Sequence, residues 1–392
     1  MQKNVISDLR RILAKDARRG KDSFAEVVSC AAWESAQAAL ASVTEGEVRA
    51  VLSSSKVSPE DVYILLSPQA DHFLEALARK ARALTLQRFG RTVVLYVPLY
   101  LSSYCMNSCL YCGFRRENPV QRKKLSPEER RQEMLYLRDL GFQHILLVSG
   151  EDPRAFPLSE LADCVSEAHR LFASVSIEVY PLAEEGYREL VRRGCDGIAL
   201  YQETYNPEQY RRVHPRGPKR NMENRLNAIE YAARAGMRSL GLGALLGLSD
   251  WRVEGIFLAL HASYLMKRYW RSRIAFSFPR LCPAEGGFRP PFPVSDRDLV
   301  HLMCALRLAF PDAELVVSTR EPPELRDNLI SLGVATRYSA GSRTEVGGYS
   351  LEGKSVCQFE IHDTRSPSNI ARVIQSKGYD PVWKDWDFRF LS

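Results

Sequence analysis

The chain has 392 residues, of which 45% are apolar, and a formal net charge of +7. This length suits one large domain or two ordinary ones, and the apolar share is enough for a sizeable core. No apolar run reaches eighteen residues, which excludes a membrane-spanning helix, and so mild a charge does not mark a nucleic-acid-binding protein. The one basic stretch, FRRENPVQRKK (Arg115, Arg116, Arg122, Lys123, Lys124), reads as a solvated loop or as a field that draws anionic ligands to a nearby site. The start is basic but carries Asp8, Asp16 and Asp22 and no apolar stretch. It suits neither a secretory signal nor a transit peptide, so a cytoplasmic location is expected. Nine cysteines at irregular spacing argue against a disulfide framework; clustered thiols in a reducing compartment point to metal or catalysis.

The first ninety residues read as helical. VSPEDVYILLSP offers Ser58 as N-cap and Pro59 at the first helical position, and residues 71–90 keep helical apolar spacing up to Gly90. A first strand follows, TVVLYVPLYLS (92–102). Thereafter apolar runs of strand length alternate with amphipathic helices. A helix opening at Ser126-Pro127 and stopping at Gly141 leads into HILLVSGE (144–151). Then come VSIEVYPL (175–182), DGIALYQETY (196–205), RSLGLGALLGL (238–248), RIAFSFPRL (273–281), AELVVSTRE (313–321) and the weaker VATRYSAGS (334–342). These runs are apolar throughout, as strands buried on both faces are, and the alternation predicts a parallel α/β sheet. About eight such units predict a closed (β/α)₈ TIM-like barrel, or an open barrel of six with extra elements. The expected organisation is a helical N-terminal extension over 1–90, the barrel over 91–340, and a C-terminal appendage over 341–392 packing on it. Trp383 and Trp386 in PVWKDWD either form a motif or anchor that tail.

Polar residues stand where the apolar runs end: Ser149, Gly150 and Glu151; Gln202, Glu203 and Thr204; Ser277 and Arg280; Ser318, Thr319, Arg320 and Glu321. In a parallel barrel these ends line one mouth, where the loops build the site. Any single one of them is equally a helix N-cap.

YLSSYCMNSCLYCGFRREN (100–118) holds Cys105, Cys109 and Cys112 at C-x-x-x-C-x-x-C spacing. A structural zinc site closes with four ligands, whereas this loop brings three thiols and no histidine, so zinc would need a distant fourth ligand. Four irons held by three thiolates leave one iron open to bind something else. Cys30, Cys164, Cys195 and Cys304 lie in helical or apolar settings and read as small core residues. Cys282 lies near the expected mouth.

With the aromatic Tyr111 before its last cysteine, and placed after the first barrel strand, the motif resembles the signature of radical S-adenosylmethionine enzymes. Together with QRFGRTVVLYVPLYLSSYCMNSCLYCGF, the segments ILLVSGE, EVYPL, YQETY, GLGALLGLSDWR, SFPRL, STRE, SAGSRTEVGGY and GYDPVWKDWD resemble the tyrosine lyases of thiamine biosynthesis, the 2-iminoacetate synthases, from about residue 55 onward. The resemblance implies a (β/α)₈ barrel of the radical S-adenosylmethionine type and one 4Fe-4S cluster on Cys105, Cys109 and Cys112. The open iron would take the amine and carboxylate of S-adenosylmethionine. Reductive cleavage to 5′-deoxyadenosine and methionine would then drive scission of the Cα–Cβ bond of L-tyrosine to 2-iminoacetate and p-cresol. It implies cofactor contacts from Tyr111, Ser149, Gly150, Glu151, Glu178 near the ribose, and Leu245 in the adenine-facing GLGALLG run. For tyrosine it implies a carboxylate clamp from Arg280 or Arg320, with Ser277, Ser318 and Tyr96 also at the substrate and no catalytic side chain beyond the cluster and S-adenosylmethionine. Implied partners are thiazole synthase and a reductant such as flavodoxin or ferredoxin, with no nucleic acid and no membrane. Related readings are a hydrogenase-cofactor maturase, whose further C-terminal cysteines contrast with the single Cys357 beyond Cys304 here, and a deazaflavin synthase. A zinc-binding interaction module is the reading of another class.

Overall fold

The structure, a computed structural model, describes residues 23–29, 33–351 and 355–385. Cys30 and Trp386 therefore lie outside the described residues. Nine strands make one sheet: β1 (Thr92–Ser102), β2 (His144–Ser149), β3 (Ser174–Glu178), β4 (Gly197–Ala199), β5 (Ser239–Gly243), β6 (Arg273–Ser277), β7 (Glu314–Val317), β8 (Arg337–Ser339) and β9 (Asp380–Val382). The order runs from β2 through β8 to β1, and a further β1–β2 pairing closes it into a barrel of eight parallel strands. All eight apolar runs supply a strand, and the open six-stranded alternative does not form. The weak run VATRYSAGS yields only the three residues of β8, which still bridge β7 and β1.

Strand β1 is the seam. Its Val94–Tyr96 segment pairs with β8, Val97–Ser102 pairs with β2, and Thr92–Val94 pairs with β9 from the C-terminal stretch. Val94 pairs with β8 and β9 together, so β9 covers the edge of β1 that β2 leaves open. An irregularity between Tyr100 and Ser102 then sets Ser102 opposite Ser149, where the Gly150 amide donates to the Ser102 carbonyl at 2.9 Å. That offset fixes how the cysteine-bearing loop leaves the barrel.

Local chemistry sets the helix ends. Ser126 and Glu129 form a reciprocal capping box at the start of helix Pro127–Asp139. Gly141, at φ 98°, ends the following turn in a conformation that other residues resist. Ser58-Pro59 does cap, but it opens only a 3₁₀ turn, Pro59–Asp61, and a short helix, Val62–Leu65. The second proline, Pro68, lacks the amide that would extend it and starts another 3₁₀ turn.

The N-terminal helices pack on the outer helices of the barrel. Trp33 stacks on Phe257 at 5.6 Å, and Phe24 stacks on His261 at 3.9 Å. His301 and Arg252 reach back to the Leu65 and Leu66 carbonyls and to Asp71. At the other end, Arg326 pairs with the fully buried Asp363, Arg365 bridges Asp363 and Asp327, and His144 meets Asp385 at 2.8 Å. Trp383 packs on Phe142, ring centroids 5.3 Å apart. Among the described residues no helix is long and apolar enough to cross a membrane.

Helix Trp251–Arg268 is buried along most of its length, and within it Glu254 meets the Thr204 hydroxyl and the Tyr205 amide, the latter at 2.9 Å. Burial pushes this carboxyl up to about 8, against the bonds from Thr204 and Tyr205 that favour the charged form. A raised folded-state value means that the group supports the fold fully below its ordinary value of 4.5, and that this support is lost as pH rises through 8. Glu254→Gln should therefore flatten the decline in urea midpoint between about pH 5 and 9. A variant whose midpoint falls with pH as steeply as the parent's would refute this.

Candidate active site

The loop after β1 is held from three sides. Its Met106 amide donates to the Glu151 carbonyl, its Ser108 amide to the Arg216 carbonyl, and its Gly113 amide to the Gln358 carbonyl, at 2.8–3.1 Å. Inside the loop, Asn107 donates to the Glu151 carboxylate at 2.6 Å and accepts from the Lys219 amide at 2.9 Å. Arg122 ties off the Ser103, Phe114 and Arg115 carbonyls. Two glycines are steric requirements. A Cβ on Gly113 would lie 2.1 Å from the Cys357 carbonyl oxygen, and one on Gly150 would lie 2.4 Å from that of Tyr104. Burial pushes up the thiols of Cys109 and Cys112, the latter to about 11. Metal binding must therefore displace protons from them.

Tyr111 donates to His214 Nε2 at 2.7 Å, while the other ring nitrogen of His214 bonds the Tyr210 carbonyl at 2.8 Å. That carbonyl fixes the proton on Nδ1, and burial holds the imidazole neutral, down at about 3. Beside this pair, Glu203 takes a φ of 72°, unusual for a residue with a side chain. Its carboxylate receives Lys219 Nζ at 2.6 Å and Arg225 at 3.2 Å. Burial alone would raise Glu203, but the two cations outweigh it and hold the carboxyl at about 2. Lys219 Nζ also stands 5.7 Å from the Tyr111 ring centre.

Six of the expected site residues line two neighbouring spaces, whereas Tyr111, Ser149, Gly150, Glu151, Leu245 and the three cysteines line neither. The first, of about 570 Å³ including its solvent-open part, lies within the barrel. Tyr96, Glu178, Ser277, Ser318 and Arg320 all line it, and so does Tyr100. Burial pushes Glu178 up to about 7, with Arg320 pulling the other way. The second, of about 520 Å³, is lined by Arg280, Cys282, Glu321 and His362, and Arg320 borders it too.

The two arginines differ. Arg280 is spent: it pairs with Glu321 through Nε and Nη2, and its Nη1 reaches Asp296 at 2.7 Å and the Val294 carbonyl at 3.1 Å. Arg320 lies over the Phe359 ring, its guanidinium meets the Arg280 carbonyl at 3.4 Å and the Cys282 thiol, and among the described residues it pairs with no carboxylate. Glu151 is taken up by Asn107. Leu245 is buried against Val213 and Leu248, with Tyr111 packed on the same cluster. The GLGALLG run makes a corner: β5 ends at Gly243, and Gly247 sits at φ 111°. Lys219, Arg225, His214 and Asn107 carry no mark in the sequence, because their roles depend on contacts across the fold. Ser342 and Thr344 of the cavity lie in the SAGSRTEVGGY run that carried part of the resemblance, whereas Phe359 lies in a later segment outside it.

The residues present fit a cluster with a chelating cofactor. No three His, Cys, Asp or Glu side chains converge on a single ion among the described residues; a cluster instead takes one thiolate on each of three irons. Ser149 Oγ and Gln202 Nε2, one at and one just beyond the ends of two strands facing the same mouth, are buried without a protein partner among the described residues, as groups awaiting a polar ligand are.

A closed parallel barrel with three thiols after its first strand defines a radical S-adenosylmethionine enzyme. Residues 99–260 match the Radical SAM superfamily, and residues 277–380 match the Biotin and Thiamin Synthesis associated domain. The chain is 42% identical to the 2-iminoacetate synthases of Escherichia coli and of Salmonella typhimurium, over 91% of its length and 94% of theirs. Among solved structures, the hydrogenase maturase HydG superposes with a TM-score of 0.85 at 32% identity, covering 92% of this chain and 83% of that one. The chain belongs to the 2-iminoacetate synthase family.

Alanine at Cys105, Cys109 or Cys112 should each abolish the brown chromophore, and the reconstituted parent should hold about four irons per chain. A repeatable iron content near twice that would reveal a second cluster. Arg320→Ala should weaken tyrosine binding by about 2–5 kcal/mol while keeping the chromophore. Arg280→Ala should instead lower stability by about 3 kcal/mol, because it leaves Glu321 buried and unpaired. Calorimetry with tyrosine and urea unfolding of both variants separate the two roles; the reverse pattern would reassign the clamp.

Proposed function

We propose that the chain cleaves the Cα–Cβ bond of L-tyrosine to 2-iminoacetate and p-cresol, with S-adenosylmethionine converted to 5′-deoxyadenosine and methionine, for thiazole formation in thiamine biosynthesis. The observation that carries this reading is the end-to-end likeness to the 2-iminoacetate synthases, at 42% identity. The cavity gives it physical content.

Cys105, Cys109 and Cys112 would hold the 4Fe-4S cluster. When bound, cluster and S-adenosylmethionine together supply one-electron chemistry that no side chain can provide. The protein's part is to bind, orient and keep out water. Ser149 and Gln202 offer unspent polar groups at the mouth, and Gly150 leaves room for close backbone approach. Glu178, at about 7, holds or releases a proton near neutrality, which suits a partner for ribose hydroxyls. Arg320 presents a planar pair of donors to the tyrosine carboxylate, which fixes the amino group relative to the cofactor. Ser277, Ser318 and Tyr96 line the space left for the rest of the substrate, and Leu245 with Tyr111 forms an apolar wall for the adenine side.

The same reading assigns residues 1–90 to a helical extension, 91–340 to the barrel and 341–392 to an appendage packing on it. It places the protein in the cytoplasm, with an electron donor such as flavodoxin or ferredoxin upstream. Thiazole synthase would be the receiver of an imine that water otherwise hydrolyses to glyoxylate. Anaerobic incubation with S-adenosylmethionine, reductant and tyrosine should yield p-cresol and glyoxylate in equal amounts, tracking 5′-deoxyadenosine. Phenylalanine should give little cleavage, since it lacks the phenol that helps the departing fragment carry the unpaired electron. Deoxyadenosine formed with tyrosine but without p-cresol or glyoxylate would overturn the lyase assignment.

A further inference from the structure

The cysteine loop has a solvent side with its own composition. Residues 205–221 carry five cations (Arg211, Arg212, Arg216, Lys219, Arg220) against one acid, Glu208. Lys219 turns inward to Glu203, whereas the four arginines are exposed, as is Arg116 of the cysteine loop. None of these five arginines holds a carboxylate within 4.0 Å among the described residues. Several surface helices elsewhere do pair theirs along one face, as Arg49 with Glu45, Arg79 with Glu75, and Arg193 with Glu189. The nearby acids do not neutralise the patch: Glu117 is taken by Arg115 and Ser108, and Glu208 and Glu223 are exposed at the first turns of their own helices.

Backbone contacts tie this surface to the cysteines. Cys109 is bracketed by two hydrogen bonds into the basic segment, Ser108 amide to Arg216 carbonyl and Leu110 amide to Val213 carbonyl, both at 3.1 Å. The Arg116 amide bonds the Asn107 carbonyl at 2.9 Å, and the Arg220 guanidinium lies on the Pro215 carbonyl at 3.3 Å. A Cβ on Gly217 would meet the Asn107 side chain at 2.3 Å, so loop and basic segment are packed without a gap. The patch is thus one hydrogen bond away from the residues that flank a cluster thiolate.

We propose that Arg116, Arg211, Arg212, Arg216 and Arg220 form the docking surface for an acidic one-electron donor protein. This rests on the lyase reading above, which requires two electrons per turnover from outside the chain, taken one at a time: one to cleave S-adenosylmethionine and one, with a proton, to convert the departing hydroxybenzyl radical to p-cresol. The donor's redox centre, ringed by carboxylates, sits over the 213–216 segment. It loses one electron as the cluster gains one, and the bracketing hydrogen bonds supply a short path to Cys109. Unpaired exposed arginines serve this purpose because steering raises association rates by about 10–10³ and weakens with salt.

The test is anaerobic stopped-flow reduction of the reconstituted holoenzyme by flavodoxin hydroquinone, with reduced methyl viologen as a small donor that needs no docking. The variant Arg211→Glu/Arg212→Glu/Arg216→Glu should be reduced by flavodoxin about 10-fold more slowly or worse at low salt. Its rate should lose most of its dependence on ionic strength, while viologen-driven p-cresol formation stays at the parent level. A control with the same charge change at the opposite end of the barrel, Arg170→Glu/Lys267→Glu/Arg271→Glu, should keep the flavodoxin rate. Equal slowing in both variants, or a patch variant as fast as the parent, would overturn the proposal. So would binding of labelled poly(U) that the patch variant loses while its flavodoxin rate stays intact; that result would make the surface a nucleic-acid site. Failure of viologen-driven p-cresol formation in the parent would strike the lyase reading instead and leave the docking measurement standing.

Discussion

Strand β1 pairs with three partners, and the rest of the molecule is arranged around that constraint. Its middle and upper parts close the barrel between β8 and β2, and its first residues take β9 onto the edge that β2 does not reach. The irregularity at its end turns the chain into the cysteine loop with Gly150 already bonded to it. Fold and cluster position are therefore one problem. The register that closes the barrel also sets where three thiols stand relative to the ends of the other strands.

Around that loop the polar groups divide into those already spent on one another and those left free. Arg280 with Glu321, and Glu203 with Lys219 and Arg225, are spent; they hold the mouth in shape. Ser149 and Gln202 are not, among the described residues, and the guanidinium of Arg320, which holds no carboxylate there, lines the cavity within the barrel. Leaving such groups without protein partners costs stability, and a site that binds polar ligands accepts that cost. Apolar packing around Tyr111 and Leu245 completes the contrast between a dry wall and polar ends.

The strands were legible because each is buried on both faces and reads as an apolar run. The alternation of those runs with capped helices gave the parallel barrel. The count of eight runs predicted a closed barrel but did not separate it from an open one of six: a pairing between β1 and β8 leaves no local mark, and β8 contributes only three residues, one of them Arg337. The helix expected after Ser58 was cut short by Pro68, whose effect a capping signal alone does not reveal. Arg280 and Arg320 looked alike because both stand at a strand's end. They differ in which carboxylates the fold brings to them: Arg280 faces both Glu321 and Asp296. Lys219 and Arg225 were invisible for the same reason, since their meaning depends on a carboxylate from another loop.

The pairing of β9 with the start of β1 joins two segments that enclose almost the whole barrel between them, and Gly113 leans on the backbone of Gln358 in the same C-terminal stretch. A ribosome delivers β1 and its cysteines long before it delivers these supports. The seam is thus among the last contacts available to a growing chain, and contacts so distant in sequence are slow to form. The thiols spend that interval on a loop without its back wall. The hydrogen-bonded backing of the cysteine loop is therefore whole only after the C-terminal stretch has been made and has paired with β1.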